Sequence, residues 1–200
     1  MTNKKNDTMM DGKKIILASA SPRRSELMTL AGISFDVLPA DICEDVLPGE
    51  QPAEHVMRLS REKAQAIAGR AAGRFFIGAD TVVVLDGRIM GKPADGDEAF
   101  GMLTALSGRT HDVITGFTVY DRETGACLSR NVQTEVLFKT LSDQEILTYI
   151  ATGCPMDKAG AYAIQGGAVH FVRSISGSYT NVIGLPMTEL YELLCAMQAL

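Results

Sequence analysis

From residue 75 to residue 85 the chain is apolar except at Gly78, Asp80 and Thr81, and Asp86-Gly87 then separates this run from Arg88-Ile89-Met90. An apolar run closed by Asp-Gly reads as a buried strand that folds back in a hairpin. A hairpin makes antiparallel neighbours, so no wholly parallel sheet can be built on this strand. Elsewhere helix and strand signals intermix. Ile15-Ile16-Leu17-Ala18 has the length of a short buried strand, and Ser19-Ala20-Ser21-Pro22 then opens a helix at Pro22 that Gly32 should stop. Residues 35–46 alternate as a strand would. Residues 53–71 place Val56, Leu59, Lys63, Ile67 and Ala71 on one helical stripe, with Lys63 as its charged member.

Further along, residues 95–106 read as a helix, and residues 111–120 and 127–139 as long strands around a turn at 121–125. The second of these strands should have one wetter face. Ser142 and Glu145 form a capping box for a helix over 143–152, with Gly153 and Pro155 ending it. A glycine-rich stretch at 160–167 leads into apolar residues 168–175, and a last helix begins near Pro186. The fold class expected is α/β, a mixed β-sheet flanked by helices, with no internal repeat.

Two hundred residues fit one domain, here expected over 13–200 after a flexible, polar extension at 1–12. With 46% hydrophobic and 22% charged residues the chain can bury a core, and its net charge of −5 disfavours broad attraction to nucleic acid or an anionic membrane. No stretch has the roughly 20 apolar residues of a membrane span and no apolar signal segment opens the chain, so a cytoplasmic location is expected. Cys43, Cys127, Cys154 and Cys195 form no CxxC pair and read as buried or indifferent thiols. His55, His111 and His170 are too sparse for a histidine metal centre, so any metal must be held by carboxylates.

Polar residues inside apolar elements mark where chemistry can live. Arg23 and Arg24 in a first helical turn oppose the helix dipole, an arrangement suited to phosphate oxygens and otherwise explained as two solvated charges. Asp80 in a buried strand costs several kcal/mol when charged unless a metal, a lysine or hydrogen-bond donors compensate it. Lys63 and Lys92, the latter in the Gly91-Lys92-Pro93 loop, add positive charge suited to a polyphosphate, although lysines usually lie on the surface. Glu44 either joins Asp80 on a metal or sits on a solvated strand edge. Gln165, in the run from Asp157 to Gly167, has an amide able to read a base edge, while the glycines around it also suit a plain turn.

Taken in order, Leu17-Ala18-Ser19-Ala20-Ser21-Pro22-Arg23-Arg24, Arg61-Glu62-Lys63-Ala64, Gly78-Ala79-Asp80-Thr81-Val82-Val83, Gly91-Lys92-Pro93, Leu106-Ser107-Gly108 and Asp157-Lys158-Ala159-Gly160-Ala161-Tyr162 resemble the Maf family of nucleoside triphosphate pyrophosphatases. The Pro-Arg-Arg and Tyr-Ala-Ile-Gln-Gly versions resemble its dTTP/UTP-preferring branch rather than its 7-methyl-GTP branch. The resemblance implies an elongated Maf/ITPase-like architecture with a central cleft, often dimeric. It implies hydrolysis between the α and β phosphates, a divalent metal cation (Mg²⁺ or Mn²⁺), and an association with septum formation. Asp80 takes the family's proton-acceptor position; Arg23, Thr81 and Gln165 take its substrate-specificity positions; Arg24, Glu44, Lys63 and Lys92 align with residues lining the same cleft. Cys43 departs from the family, which commonly has an acidic residue there. The competing expectations are a nucleotide-binding regulator of division with little turnover and a nucleotidyltransferase that needs a second substrate.

Overall fold

Residues 14–200 are described in the computed structural model, so the extension expected over 1–12 lies outside the described residues. In chain order the elements are β1 (Ile15–Leu17), α1 (Pro22–Leu30), β2 (Phe35–Val37), α2 (Pro52–Ala68), β3 (Phe75–Leu85), β4 (Arg88–Met90) and α3 (Gly96–Leu106). There follow β5 (Thr110–Asp121), β6 (Cys127–Phe138), α4 (Asp143–Ile150), two 3-10 turns at Cys154–Asp157 and Ala159–Ala161, β7 (Val172–Ser176), α5 (Tyr179–Ile183) and α6 (Met187–Ala196). The strands make one seven-stranded mixed sheet in the order β2-β1-β3-β5-β6-β7, with β4 also paired to β3. β1 is parallel to β2 and β3, and the remaining pairs are antiparallel.

Helices cover the sheet as its side-chain alternation requires. Phe75, Ile77 and Ala79 of β3 pack with Leu27 and Met28 of α1, Ile183 of α5 and Leu190, Leu193 and Leu194 of α6. Phe76, on the other face, packs with Ala64, Ile67 and Ala68 of α2. Toward the far end, Val83, Val113 and Phe138 meet Leu103 of α3 and Ile146 of α4. The wetter face of β6 is present: Thr134, Val136 and Phe138 are buried while Asn131, Gln133 and Glu135 are exposed.

Several boundaries differ from the sequence reading, each for a local reason. The strand expected over 35–46 ends at Val37. Leu38 still donates its N–H to Leu17 at 3.0 Å, but Pro39 has no N–H with which to continue the ladder. α2 stops at Ala68 because Gly69 caps it. Ser21 sits at the N-cap of α1 without making a side-chain capping bond. α5 was not anticipated; Ser178 caps it with a side-chain bond to the Asn181 N–H. All four cysteines are free, and Cys43, Cys154 and Cys195 are exposed rather than buried.

His111 on β5 is 3% exposed; its Nε2 lies 2.7 Å from the Tyr162 hydroxyl, and Nδ1 is buried without a partner. Burial pushes its pKa down to about 4, with Asp112 opposing. Below about pH 6.5 the unfolded chain therefore takes up a proton that the folded chain refuses. The contribution of His111 to stability is complete above that pH and falls as the pH drops toward 4, by roughly 3 kcal/mol in all. Urea unfolding from pH 7 to 4.5 should show this slope, and His111→Gln should flatten it. An equal slope in wild type and variant would assign the acid sensitivity to other groups.

Candidate active site

The cleft arises from a gap in the sheet. One edge of β3 pairs with β5, while the other pairs with β1 only through residues 75–77 and with β4 only through residues 83–85. Between them, residues 78–82 have no strand partner on that edge. A cavity of about 740 Å³ opens there, lined by the chain after β1, the middle of β3, the end of β4 and the turns around Asp157 and Gln165. It lies beyond the carboxyl end of β1, where crevices in sheets with parallel strands ordinarily bind ligands.

Arg23, Arg24, Glu44, Lys63, Asp80, Thr81, Lys92 and Gln165, the eight residues singled out by sequence, all line this cavity. At its floor the Lys63 ammonium lies 2.7 Å from Asp80 Oδ1 and 2.7 Å from Glu44 Oε1. Lys63 and Asp80 are 7% and 8% exposed, so the carboxylate that interrupts β3 has found a lysine as its compensating cation. Lys63 reaches it because α2 lies directly on the sheet at Gly78 and Gly116. The charged member of the α2 stripe thus points into a cleft rather than out to solvent. Partial burial works to raise the pKa of Glu44, but Lys63, followed by Lys92 and Arg24, holds it below the ordinary carboxylate value.

The two arginines part ways. Arg23 is half-buried at the cleft wall. Arg24, expected to offer its fork to phosphate, is committed to the protein. Its Nε donates to Gly184 O at 2.8 Å, Nη1 to Ser19 Oγ at 3.0 Å and Ala79 O at 2.9 Å, and Nη2 to Thr81 Oγ1 at 3.1 Å. It thereby satisfies one carbonyl of the unpaired β3 edge and ties three segments together. Burial lowers its pKa, with Asp80 opposing. The Thr81 hydroxyl is likewise engaged, 2.9 Å from Thr115 Oγ1 and 3.3 Å from Gly184 O. Lys92 and Gln165 are exposed members of the cleft lining.

Glu44 and Asp80, brought together at one ammonium, are the carboxylates that could hold a divalent cation. Among the described residues no group of three or more His, Cys, Asp or Glu could hold a metal. An ion such as Mg²⁺ usually takes one or two carboxylates and completes its shell with water and substrate phosphates. Sequence reasoning missed His55, which also lines the cavity, and the contacts that organise it. Its signal was spacing within α2, where His55 and Arg58 stand three residues apart.

Residues 14–197 match the family model described as Maf-like protein. A protein of Citrifermentans bemidjiense named dTTP/UTP pyrophosphatase is 59% identical over 96% of this chain and 99% of its own length. One of Geobacter metallireducens with the same name is 58% identical over 96% of this chain and 100% of its own, and one of Geobacter sulfurreducens is 58% identical over 92% and 96%. With a family model spanning nearly every described residue and relatives matched along almost their full lengths, this chain belongs to the Maf family.

Proposed function

We propose that the chain is a nucleoside triphosphate pyrophosphatase that hydrolyses dTTP and UTP to the monophosphate and pyrophosphate, with Mg²⁺ or Mn²⁺. The observation that carries the reading is the Lys63 bridge between Asp80 and Glu44 inside a cleft whose walls carry Arg23 and Lys92. The names of relatives at 58–59% identity support pyrimidine triphosphates as the substrates. A cavity of about 740 Å³ suits a ligand of that size.

A triphosphate entering this cleft meets Arg23 and Lys92, which offset the charge that grows on the leaving pyrophosphate. Asp80 orients a water and takes its proton as the water oxygen bonds to the α-phosphorus and the bond from that phosphorus to the α–β bridging oxygen breaks. Lys63, which donates to Oδ1 at 2.7 Å, keeps that carboxylate in place. Glu44 and Asp80 would hold the metal, which when bound supplies further neutralisation of the phosphate oxygens. Arg24 keeps the floor in place, and the Gln165 amide reads the base.

The test is pyrophosphate release from a panel of nucleoside triphosphates with Mg²⁺ or Mn²⁺. Many turnovers of dTTP and UTP with water as the only second reactant are expected, and Gln165→Glu should lower the rate with UTP relative to the other nucleotides. Binding without turnover would make the chain a regulator, and dependence on an acceptor would make it a transferase. An unchanged nucleotide ratio would remove Gln165 from base reading. Any bearing on septum formation would run through depletion of these nucleotides, and so would vanish in Asp80→Asn.

A further inference from the structure

Glu44 is carried by residues 38–51, which form neither helix nor strand, and its side chain is 48% exposed. A long side chain on such a segment does not stay beside Lys63 by itself. The segment is fixed to α2 by a second charged cluster. The Glu50 carboxylate, 7% exposed, accepts from Arg58 Nε at 2.6 Å, from Arg58 Nη2 at 2.9 Å and from the Leu47 N–H at 3.0 Å. Its Oε2 also lies 2.9 Å from His55 Nδ1. Arg58 Nη2 donates as well to the carbonyl of Asp45, the residue next to Glu44, at 2.9 Å.

Arg58 therefore grips the segment at residues 45 and 50, on both sides of the turn between them. Lys63 lies five residues further along α2, about 7.5 Å along the helix axis. One rigid helix thus supplies both the anchor for the backbone beside Glu44 and the ammonium that Glu44 meets. A guanidinium engaging both oxygens of a carboxylate fixes geometry better than a point charge, because its planar fork is pre-organised. We propose that Arg58 and Glu50, with His55 packed against them, are positioning residues that set Glu44 against Lys63 and Asp80. None of the three needs to touch the reacting atoms. The inference rests on the hydrolase reading, since turnover is one of its two readouts.

The experiment is a double-mutant cycle of Arg58→Met with Glu44→Gln, read as pyrophosphate release from dTTP, together with hydrogen exchange of the amides at 45–50. Arg58→Met should lower kcat/KM by about tenfold or more alone, but by no more than about twofold when Glu44→Gln is already present, because the two changes remove one effect. Arg58→Lys should recover only part of the loss, since it keeps the charge without the fork. The Leu47 and Glu50 amides, both hydrogen-bonded within the segment, should exchange faster in Arg58→Met, with those of β3 unchanged. Equal losses in both backgrounds, or exchange that rises across β3 as well, would reduce the cluster to general stabilisation and overturn the proposal. Exchange is read without turnover, so a chain inactive in every form would defeat the hydrolase reading while still reporting on the clamp.

Discussion

Asp80→Asn is expected to lower pyrophosphate release from dTTP and UTP by about 10³-fold, the scale of losing a general base, while the chain stays folded. Removing one partner of a buried ion pair ordinarily costs about 3–5 kcal/mol because the other charge is stranded. Here Lys63 is not stranded, since Glu44 Oε1 remains 2.7 Å from its ammonium. The melting temperature should therefore fall only slightly in the single variant and clearly in Asp80→Asn with Glu44→Gln, where both carboxylates lose their charge. Turnover and a thermal melt on the same preparations separate the two effects. A folded Asp80→Asn protein with near-normal turnover would take Asp80 out of the reaction.

Asp80 was legible in the sequence because a carboxylate within an apolar strand needs a partner whatever the fold. The hairpin after it was equally legible: an apolar run and an Asp-Gly turn are local signals, and β3 and β4 begin and end where those signals do. Which partner Asp80 takes was not legible. Lys63 is 17 residues away on another element, and the pairing depends on how closely a helix docks on a sheet. The gap along β3 is hidden for a related reason, because it follows from β1 ending at Leu17 and β4 ending at Met90, two segments that carry no mutual signal. Arg24 shows the limit of reading a residue by its local position. The first turn of a helix suggested phosphate, whereas the contacts it makes come from Ser19, Ala79, Thr81 and Gly184, and Gly184 is 160 residues distant. Arg58 and Glu50 were missed because charged residues eight apart around a helix start look like ordinary solvated surface.

Gly78→Ala should destabilise the protein by about 3 kcal/mol or more, against what strand propensity alone suggests. A glycine inside a strand is ordinarily worse than alanine by roughly 0.5–1 kcal/mol, so the naive expectation is a gain. A Cβ at position 78, however, would lie 1.9 Å from the Ser60 carbonyl oxygen and 2.7 Å from the Ala64 nitrogen, both in the backbone of α2. Backbone in mid-helix cannot turn aside as a side-chain tip can, so α2 would have to lift off the sheet by more than about 1 Å in an interior packed at crystal-like density. The close seating is repeated at a second glycine: at Gly116, paired with Asp80 across the β3–β5 ladder, a Cβ would lie 2.4 Å from the Val56 oxygen. Lifting α2 also breaks the 2.8 Å hydrogen bond between Ser60 and Thr118 and carries Lys63 away from Asp80. The melting temperature should drop by about 6–12 °C for a chain of this length. Turnover should fall in the fraction that remains folded, because the same contact that seats the helix seats Lys63 beside Asp80. A Gly78→Ala protein that melts at or above the wild-type temperature would show that α2 does not bear on β3 at this point, and the docking that brings Lys63 to Asp80 would need another cause.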